Sequence, residues 1–143
     1  MDNNETAVKV VDTMFGEDWF SQWLGIERVE VKPGRCVLSM VVRKEMLNGF
    51  GIAHGGISYS LADSALAFAS NSHGIRSVSV ETNISHTETV REGDVLTATA
   101  TENHRSNKIG IYTVLVTNQH SKTIALFKGT VYRTSKEWFP TEK

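Results

Sequence analysis

A polar, glycine-rich loop runs directly into an apolar helix in this chain, and the residues at that junction could do chemistry. His54, Gly55 and Gly56 stand where the helix should begin. The first turn of a helix has free backbone N–H groups and the positive end of the helix dipole, and glycine lets a ligand approach the backbone closely. The N–H of Gly55 could therefore polarise a carbonyl as an oxyanion hole. The alternative is a tight turn that needs glycine for its shape alone.

Asp63 is the one charged residue of that predicted helix, which covers about residues 55–72. Because the helix is apolar nearly all round, it should be buried, and we expect Asp63 to be buried with it. A buried carboxylate costs free energy unless it is paired or hydrogen-bonded, and desolvation raises its pKa. Asp63 is then either a catalytic carboxylate or a structural one that is bonded to a serine or to the backbone.

The spacing of these two candidates has a consequence for assembly. Asp63 follows Gly55 by eight residues, which is about 12 Å along a helix. One carbonyl cannot touch both groups within a single chain. A catalytic interpretation therefore predicts an active site shared by two subunits, and with it an obligate dimer.

The spacing of the apolar residues predicts the helices and strands that position these groups. Residues 1–25 read as a helical flap, and from Ile26 the period changes to two, which is typical of strands. We predict an antiparallel sheet of about six strands with one long helix covering one face, an α+β fold. The chain is expected to be a single domain over residues 1–143, with its core at 26–134 and a loose tail at 135–143, in which Trp138 and Phe139 could dock.

Two apolar patterns make this prediction specific. One face of the third strand should carry Val78, Val80, Thr82 and Ile84. The flap should supply apolar contacts from seven residues: Val8, Val11, Met14, Phe15, Trp19, Phe20 and Trp23.

Composition excludes several classes of function. The 15 basic and 16 acidic side chains nearly cancel, so no overall field attracts nucleic acid or an anionic membrane. A single cysteine, Cys36, excludes an internal disulfide and suits a reducing compartment. The N-terminus lacks the pattern of a secretory signal, and no run approaches the ~20 apolar residues of a membrane span. A cytoplasmic location is expected.

Other common chemistries fit the sequence less well. The sequence does not contain the nucleophile elbow, the dinucleotide fingerprint or the Walker sequence. The histidines show no short metal-ligand spacing, so no metal is expected. Apart from His54 they are predicted to be surface or loop residues, at positions 73, 86, 104 and 120.

Four segments in a fixed order carry a family resemblance: Met46-Leu47-Asn48-Gly49, His54-Gly55-Gly56, Ser60-Leu61-Ala62-Asp63 and Asn71-Ser72-His73-Gly74. Together they resemble the PaaI-type branch of hotdog-fold acyl-CoA thioesterases, which is named for phenylacetic acid degradation. The resemblance is dense over about residues 46–74 and continues more weakly to about residue 133.

This resemblance implies a role for each site residue. The fold would be a hotdog, with subunits paired through their sheets and usually assembled as a tetramer of two dimers. Gly55 would offer its N–H to the thioester carbonyl, while Asn48 and His54 would shape and brace the loop. The partner subunit's Asp63 would be general base or nucleophile. Ser79 would orient the water.

The implied activity is hydrolysis of an acyl-CoA to a free acid and CoA, with no metal or organic cofactor. An aryl or arylacetyl chain, such as phenylacetyl or hydroxyphenylacetyl, follows from the resemblance alone. Arg105, Lys108 and Arg133 are candidates for the CoA phosphates, since Arg and Lys suit such groups; the alternative is that they are ordinary surface charges.

The sequence departs from the family in the third strand. His86 and Glu88 lie in Ile-Ser-His-Thr-Glu-Thr, where relatives often read Ile-x-Phe-Leu-Arg-Pro, and Tyr59 stands where relatives often have Phe. The acyl group therefore stays open, with aliphatic and hydroxybenzoyl-type acyl-CoA as alternatives. A noncatalytic acyl-CoA-binding domain is also possible on this fold, although such a binder has no need of a buried Asp63. A dehydratase fits less well, because the helix lacks a His/Asp or His/Glu pair.

Overall fold

The structure is a computed structural model that describes residues 1–141. Its α-helices are α1 (Asn3–Gly16), α2 (Trp19–Trp23) and α3 (Gly55–Asn71), and a short 3-10 helix covers Lys44–Met46. The six strands are β1 (Glu27–Lys32), β2 (Arg35–Val41), β3 (Ile75–His86), β4 (Val95–Arg105), β5 (Ile109–Thr117) and β6 (Thr123–Glu137).

All six strands form one antiparallel sheet in the order β1-β2-β4-β5-β6-β3. Helix α3 contacts five of them, β2 to β6, so it lies across one face of the sheet. The predicted α+β architecture is confirmed. Strand β3 forms one edge of the sheet, and it joins the rest through β6 alone.

Helix α3 lies close to the sheet because small residues face it. Ser and Ala account for eight of its seventeen residues, and Leu61, Leu66 and Phe68 are fully buried between them. On the facing strand β6, a Cβ placed on Gly129 would come within 2.4 Å of a Leu66 methyl group. Glycine at 129 therefore sets how near the helix can approach the sheet.

The two helices of the flap contact α3 in different ways. Helix α1 is capped by the Asp2 carboxylate, which accepts from the N–H of Glu5, and Phe15 packs edge-on against Phe68 of α3. In α2 the one buried residue is Ser21.

The prediction that the flap's aromatic residues pack inward is wrong for α2. Trp19, Phe20 and Trp23 are 70%, 54% and 59% exposed, and Val8 of α1 is exposed too. The Ser21 hydroxyl lies 2.8 Å from the Ser64 hydroxyl on α3. Because α2 is attached to α3 through Ser21, its aromatic side chains stay exposed to solvent.

The prediction for β3 is also wrong in part. Val78 and Val80 are 56% and 61% exposed, whereas Thr82 and Ile84 are partly buried. The pairing register with β6 shifts between Ser79 and the second residue after it. Such a bulge changes which face the next side chains take, so the simple alternation does not hold along the whole strand.

At the C-terminus the sheet extends further than predicted. The core was expected to end at residue 134, but β6 continues to Glu137, whose partner on β3 is Ile75. Trp138 then docks: its backbone N–H donates to the Gly74 carbonyl, and its indole N–H donates to Asn71 Oδ1 at 2.9 Å. The last residues of β6 are polar, so the sequence alone does not indicate that they pair with β3. Residues 142–143 of the predicted tail lie outside the described residues.

Candidate active site

The loop before α3 is held by hydrogen bonds from two predicted site residues. Asn48 Oδ1 accepts from the N–H of Phe50 at 2.9 Å and more weakly from that of Ile52. His54 is the N-cap of α3, where its Nδ1 accepts from the N–H of Gly56 at 2.9 Å. Because Nδ1 is an acceptor, the neutral ring carries its proton on Nε2. Both residues therefore brace the loop.

Gly55 is the first helical residue after this cap. Within residues 1–141 its N–H has no hydrogen-bond acceptor, while the next two N–H groups bond to His54. A cavity of about 400 Å³ opens over Gly55, and Asn48, Ser58 and Val90 are among the residues that line it. A free N–H at the positive end of a seventeen-residue helix is suited to receive a carbonyl oxygen.

Two residues of this cavity were not expected there. His86 and Glu88 both line it, although His86 was predicted to be a surface or loop residue. A Cβ placed on Gly55 would lie 3.2 Å from His86 Nε2. The sequence signal was the departure from the family pattern at these two positions, and the contact itself spans 31 residues of chain.

Asp63 is half-buried, so the expectation of full burial is wrong. Desolvation by burial raises the pKa of its carboxyl, and the nearby Asp18 carboxylate adds to the rise. In the described part of the chain no hydrogen bond reaches its side chain, and the adjacent Ser64 bonds Ser21 instead. The structural interpretation, an Asp bonded to a serine or to backbone, has no support. A carboxylate that is desolvated without a partner fits a functional group.

Asp63 and Ser79 stay apart from the cavity at Gly55. Tyr59 OH lies 2.5 Å from the Thr82 hydroxyl, which fixes the level of α3 against β3. Asp63 is about 6 Å beyond Tyr59 along the helix, and Ser79 is about 10 Å beyond Thr82 along the strand in the same direction. Both are therefore displaced from the Tyr59–Thr82 contact in the same direction, away from Gly55.

The candidate phosphate ligands surround a second cavity, at the other end of α3. It measures about 650 Å³ and is lined by Arg105 and Arg133, with Ser72 and His73 from the helix end. Lys108 does not line it; its Nζ lies 5.8 Å above the Tyr132 ring. The structure thus brings two of the three predicted basic residues together.

A chain of hydrogen bonds positions Arg105. Tyr112 OH donates to Glu102 Oε1 at 2.7 Å, and His73 Nε2 lies 2.8 Å from the same oxygen. The guanidinium of Arg105 contacts His73 Nδ1. Burial lowers the pKa of His73, so the neutral ring can donate from Nε2 and accept at Nδ1. His73 therefore lies in the turn after α3, which agrees with the predicted surface or loop position, and its half-buried ring links Glu102 to Arg105.

No helix within residues 1–141 has the length and apolar character to cross a membrane. In the same residues no group of three or more His, Cys, Asp and Glu side chains is placed to hold a metal ion.

Comparison with known proteins agrees with this architecture. The thioesterase superfamily model matches residues 50–125. Over 120 residues, 84% of this chain and 86% of its relative, the sequence is 39% identical to the acyl-coenzyme A thioesterase PaaI of Escherichia coli K12. The solved structure of E. coli PaaI, from the phenylacetic acid degradation operon, matches with a TM-score of 0.92 and 36% identity over 94% of this chain and 97% of that one.

A second solved structure, from Streptococcus mutans, is described as bound to acetyl-CoA. It matches with a TM-score of 0.76 and 27% identity, over 78% of this chain and 90% of that one. One long helix on a six-stranded antiparallel sheet is therefore the hotdog fold of a thioester hydrolase. The chain belongs to the thioesterase superfamily, and within it to the PaaI-type acyl-CoA thioesterases.

Proposed function

We propose that this acyl-CoA thioesterase acts on aryl or arylacetyl-CoA, in active sites that each combine two subunits. One subunit supplies Asn48, His54 and Gly55, and its partner supplies Asp63 and Ser79. The observation that carries the proposal concerns two groups without a hydrogen-bond partner among residues 1–141. They are the N–H of Gly55 at its cavity and the carboxylate of Asp63, which is about 12 Å further along the helix.

The edge strand supports assembly through β3. Val78 and Val80 are exposed on this edge strand, and an unpaired strand edge is a ready template for a second strand. Two copies paired about a two-fold axis would lie antiparallel through the same edge. Each helix start could then face the middle of the neighbouring helix, where Asp63 lies. A tetramer of two such dimers is the assembly that the family resemblance favours, and sedimentation analysis measures it.

The chemistry then divides between the subunits. The Gly55 N–H stabilises negative charge on the thioester oxygen. The partner subunit's Asp63 either takes a proton from water as the water oxygen bonds to the carbonyl carbon, or attacks that carbon itself. In both routes the carbon–sulfur bond breaks and CoA leaves as the thiolate, which then takes a proton. In the second route water then hydrolyses the anhydride formed on Asp63, which releases the free acid and restores the carboxylate. A backbone dipole and a carboxylate supply these steps without a metal or organic cofactor, so we expect dialysis against EDTA to leave activity unchanged.

Aromatic surface beside Asp63 supports an aryl acyl group. Phe20 and Trp23 stack with ring centres 6.1 Å apart, and Trp19 is exposed on the same helix. This helix is attached next to Asp63, through the bond from Ser21 to α3. Aromatic side chains favour aromatic partners by about 0.5–1.5 kcal/mol beyond the area they bury.

For the CoA phosphates we propose the cavity at the end of α3, with Arg105 and Arg133 as ligands and Lys108 as an outer charge. The Arg133 guanidinium donates to the Ser106 carbonyl at 2.8 Å, and Arg105 is held by His73. Guanidinium groups already fixed by hydrogen bonds lose little freedom when they bind phosphate.

A panel of acyl-CoA substrates tests the proposal. Wild type and Asp63→Asn are compared on phenylacetyl-, hydroxybenzoyl- and aliphatic acyl-CoA, with release of CoA followed by a thiol reagent. Burial raises the pKa of the Cys36 thiol to about 12, so the folded protein contributes little background. We expect the highest kcat/KM on arylacetyl-CoA and a large loss in Asp63→Asn. Full activity in Asp63→Asn would remove the mechanism, and turnover of none of these thioesters would favour an acyl-CoA-binding role.

A further inference from the structure

We propose that His86 is a second hydrogen-bond donor to the thioester oxygen, acting beside the Gly55 N–H. This rests on the proposed role of Gly55 and adds a side chain to the oxyanion hole. It gives a function to the position at which the sequence departs from its relatives.

The distances permit one oxygen to bind both donors. A residue's Cβ lies about 2.5 Å from its own amide nitrogen, and a Cβ on Gly55 would lie 3.2 Å from His86 Nε2. His86 Nε2 is thus at most about 5.7 Å from the Gly55 nitrogen. Two hydrogen bonds of about 2.9 Å can span that separation when they meet at one acceptor.

The ring presents its nitrogen edge to Gly55. Of its atoms, Nε2 comes nearest to the Gly55 position, followed by Cε1 at 3.4 Å and Cδ2 at 3.8 Å. In the Nε2–H tautomer, and in the imidazolium, this nitrogen is a donor. The hydrogen bond transfers no proton, so the step stays balanced: oxygen gains charge as the new bond to carbon forms and loses it as CoA leaves.

The backbone that carries His86 is fixed at this place. His86 pairs with Ala125 at the end of β3, and the N–H and hydroxyl of Thr87 donate to the carbonyls of Ile124 and Thr123. A donor on a hydrogen-bonded strand end is held more accurately than one on a free loop.

The other charged and titratable groups near the cavity are engaged elsewhere. Glu88 forms an ion pair with Lys122 at 3.1 Å, and the His54 ring accepts from Gly56. An anionic Glu88 would in any case repel a developing oxyanion. His86 is therefore the titratable side chain of this cavity whose ring nitrogen can donate to the charge formed at Gly55.

Substitution of His86 separates a catalytic contact from a packing role. His86→Phe keeps a flat ring without a donor, His86→Gln keeps a donor, and His104→Phe, at an exposed histidine on β4, is the matched control. We expect kcat to fall about 10²-fold in His86→Phe, the size expected for one lost oxyanion donor. KM should stay within about threefold, Gln should recover most of kcat, and His104→Phe should match wild type. Unchanged kcat in His86→Phe, or equal losses in Phe and Gln, would overturn the proposal.

A spectroscopic measurement gives an independent result. With phenylacetyl-CoA bound to Asp63→Asn protein, loss of a hydrogen bond should raise the infrared stretching frequency of the thioester carbonyl when His86 becomes Phe. The same frequency with and without His86 would overturn the contact. If Asp63→Asn is fully active, the shared-site proposal fails and this complex turns over, but the kcat values of the His86 variants still test the donor, so the two failures are distinguishable.

Discussion

Replacing Gly55 with proline removes the proposed oxyanion donor with little other damage. Proline has no N–H, and inside a helix it costs about 3 kcal/mol because it also breaks a hydrogen bond. Gly55 is the first helical residue, where that N–H has no acceptor within the helix and proline is well tolerated. The preceding His54 already has φ −62° and ψ 136°, the extended backbone that a residue before proline prefers.

The expected loss follows from the chemistry that the N–H performs. Removal of one oxyanion donor typically lowers kcat by about 10²–10³-fold, or about 2.7–4 kcal/mol of transition-state stabilisation. We therefore expect kcat of Gly55→Pro on phenylacetyl-CoA to fall by this amount, while Tm stays within about 3 °C of wild type.

Gly55→Ala is the control for crowding. It keeps the N–H but adds the Cβ that would lie 3.2 Å from the His86 ring. Because the exposed His86 side chain needs to move by only a few tenths of an ångström while its backbone stays paired, Gly55→Ala should retain kcat within about tenfold. Wild-type kcat in a folded Gly55→Pro protein would refute the assignment of this N–H to the oxyanion.

Four further predictions address the pH profile, the pH dependence of stability, CoA binding and packing. Desolvation and, as a smaller cause, Asp18 raise the pKa of Asp63, so activity should rise with pH through that raised value. Asp18→Asn should move the acidic limb of the kcat/KM profile to lower pH. An unmoved limb would exclude the coupling between the two carboxylates. The same raised pKa means that ionisation of Asp63 opposes folding, so Asp63→Asn should raise Tm at pH 8 and lose this advantage below about pH 4, where aspartate is protonated even when unfolded. Arg105→Ala should raise KM for the CoA ester with kcat unchanged, and should leave the pantetheine ester, which lacks the nucleotide phosphates, unaffected; equal effects on both would refute phosphate binding. Gly129→Ala places a Cβ 2.4 Å from Leu66, so urea denaturation should show a loss of about 1–3 kcal/mol, and wild-type stability would show that the helix can shift.

The helix and most strands could be predicted because their signals are local. Helix α3 begins at the predicted position and ends one residue before its predicted end, since a run of small apolar residues favours a buried helix. In β2, Cys36, Leu38 and Met40 are buried at every second position, as expected for a strand with one face on the core, although Val37 between them is buried too. Such patterns depend on neighbours within one turn or one strand.

The features that sequence missed depend on distant parts of the chain. The bulge at Ser79 and the extension of β6 to Glu137 are set by the register between two strands. The exposure of Trp19 follows from the way Ser21 attaches α2. An aromatic residue favours burial, but composition cannot say which surface of a short helix meets the core.

The candidate site was predicted in the same uneven way. Gly55 and His54 were found because a helix start has a chemistry that can be read locally, and Asp63 because a lone charge on an apolar helix is unusual. His86 and the link from His73 to Arg105 join residues more than thirty positions apart. No local spacing indicates such contacts.

Mixing two inactive variants tests the shared active site most directly. Asp63→Asn keeps Gly55, and Gly55→Pro keeps Asp63, so a hybrid dimer has one site with both groups intact and one with neither. Equal mixing with free exchange gives about half hybrid dimers, and hence about one quarter of wild-type activity. We predict recovery to that level, with hybrids counted by native mass spectrometry. Abundant hybrids without activity would contradict a site built from two subunits.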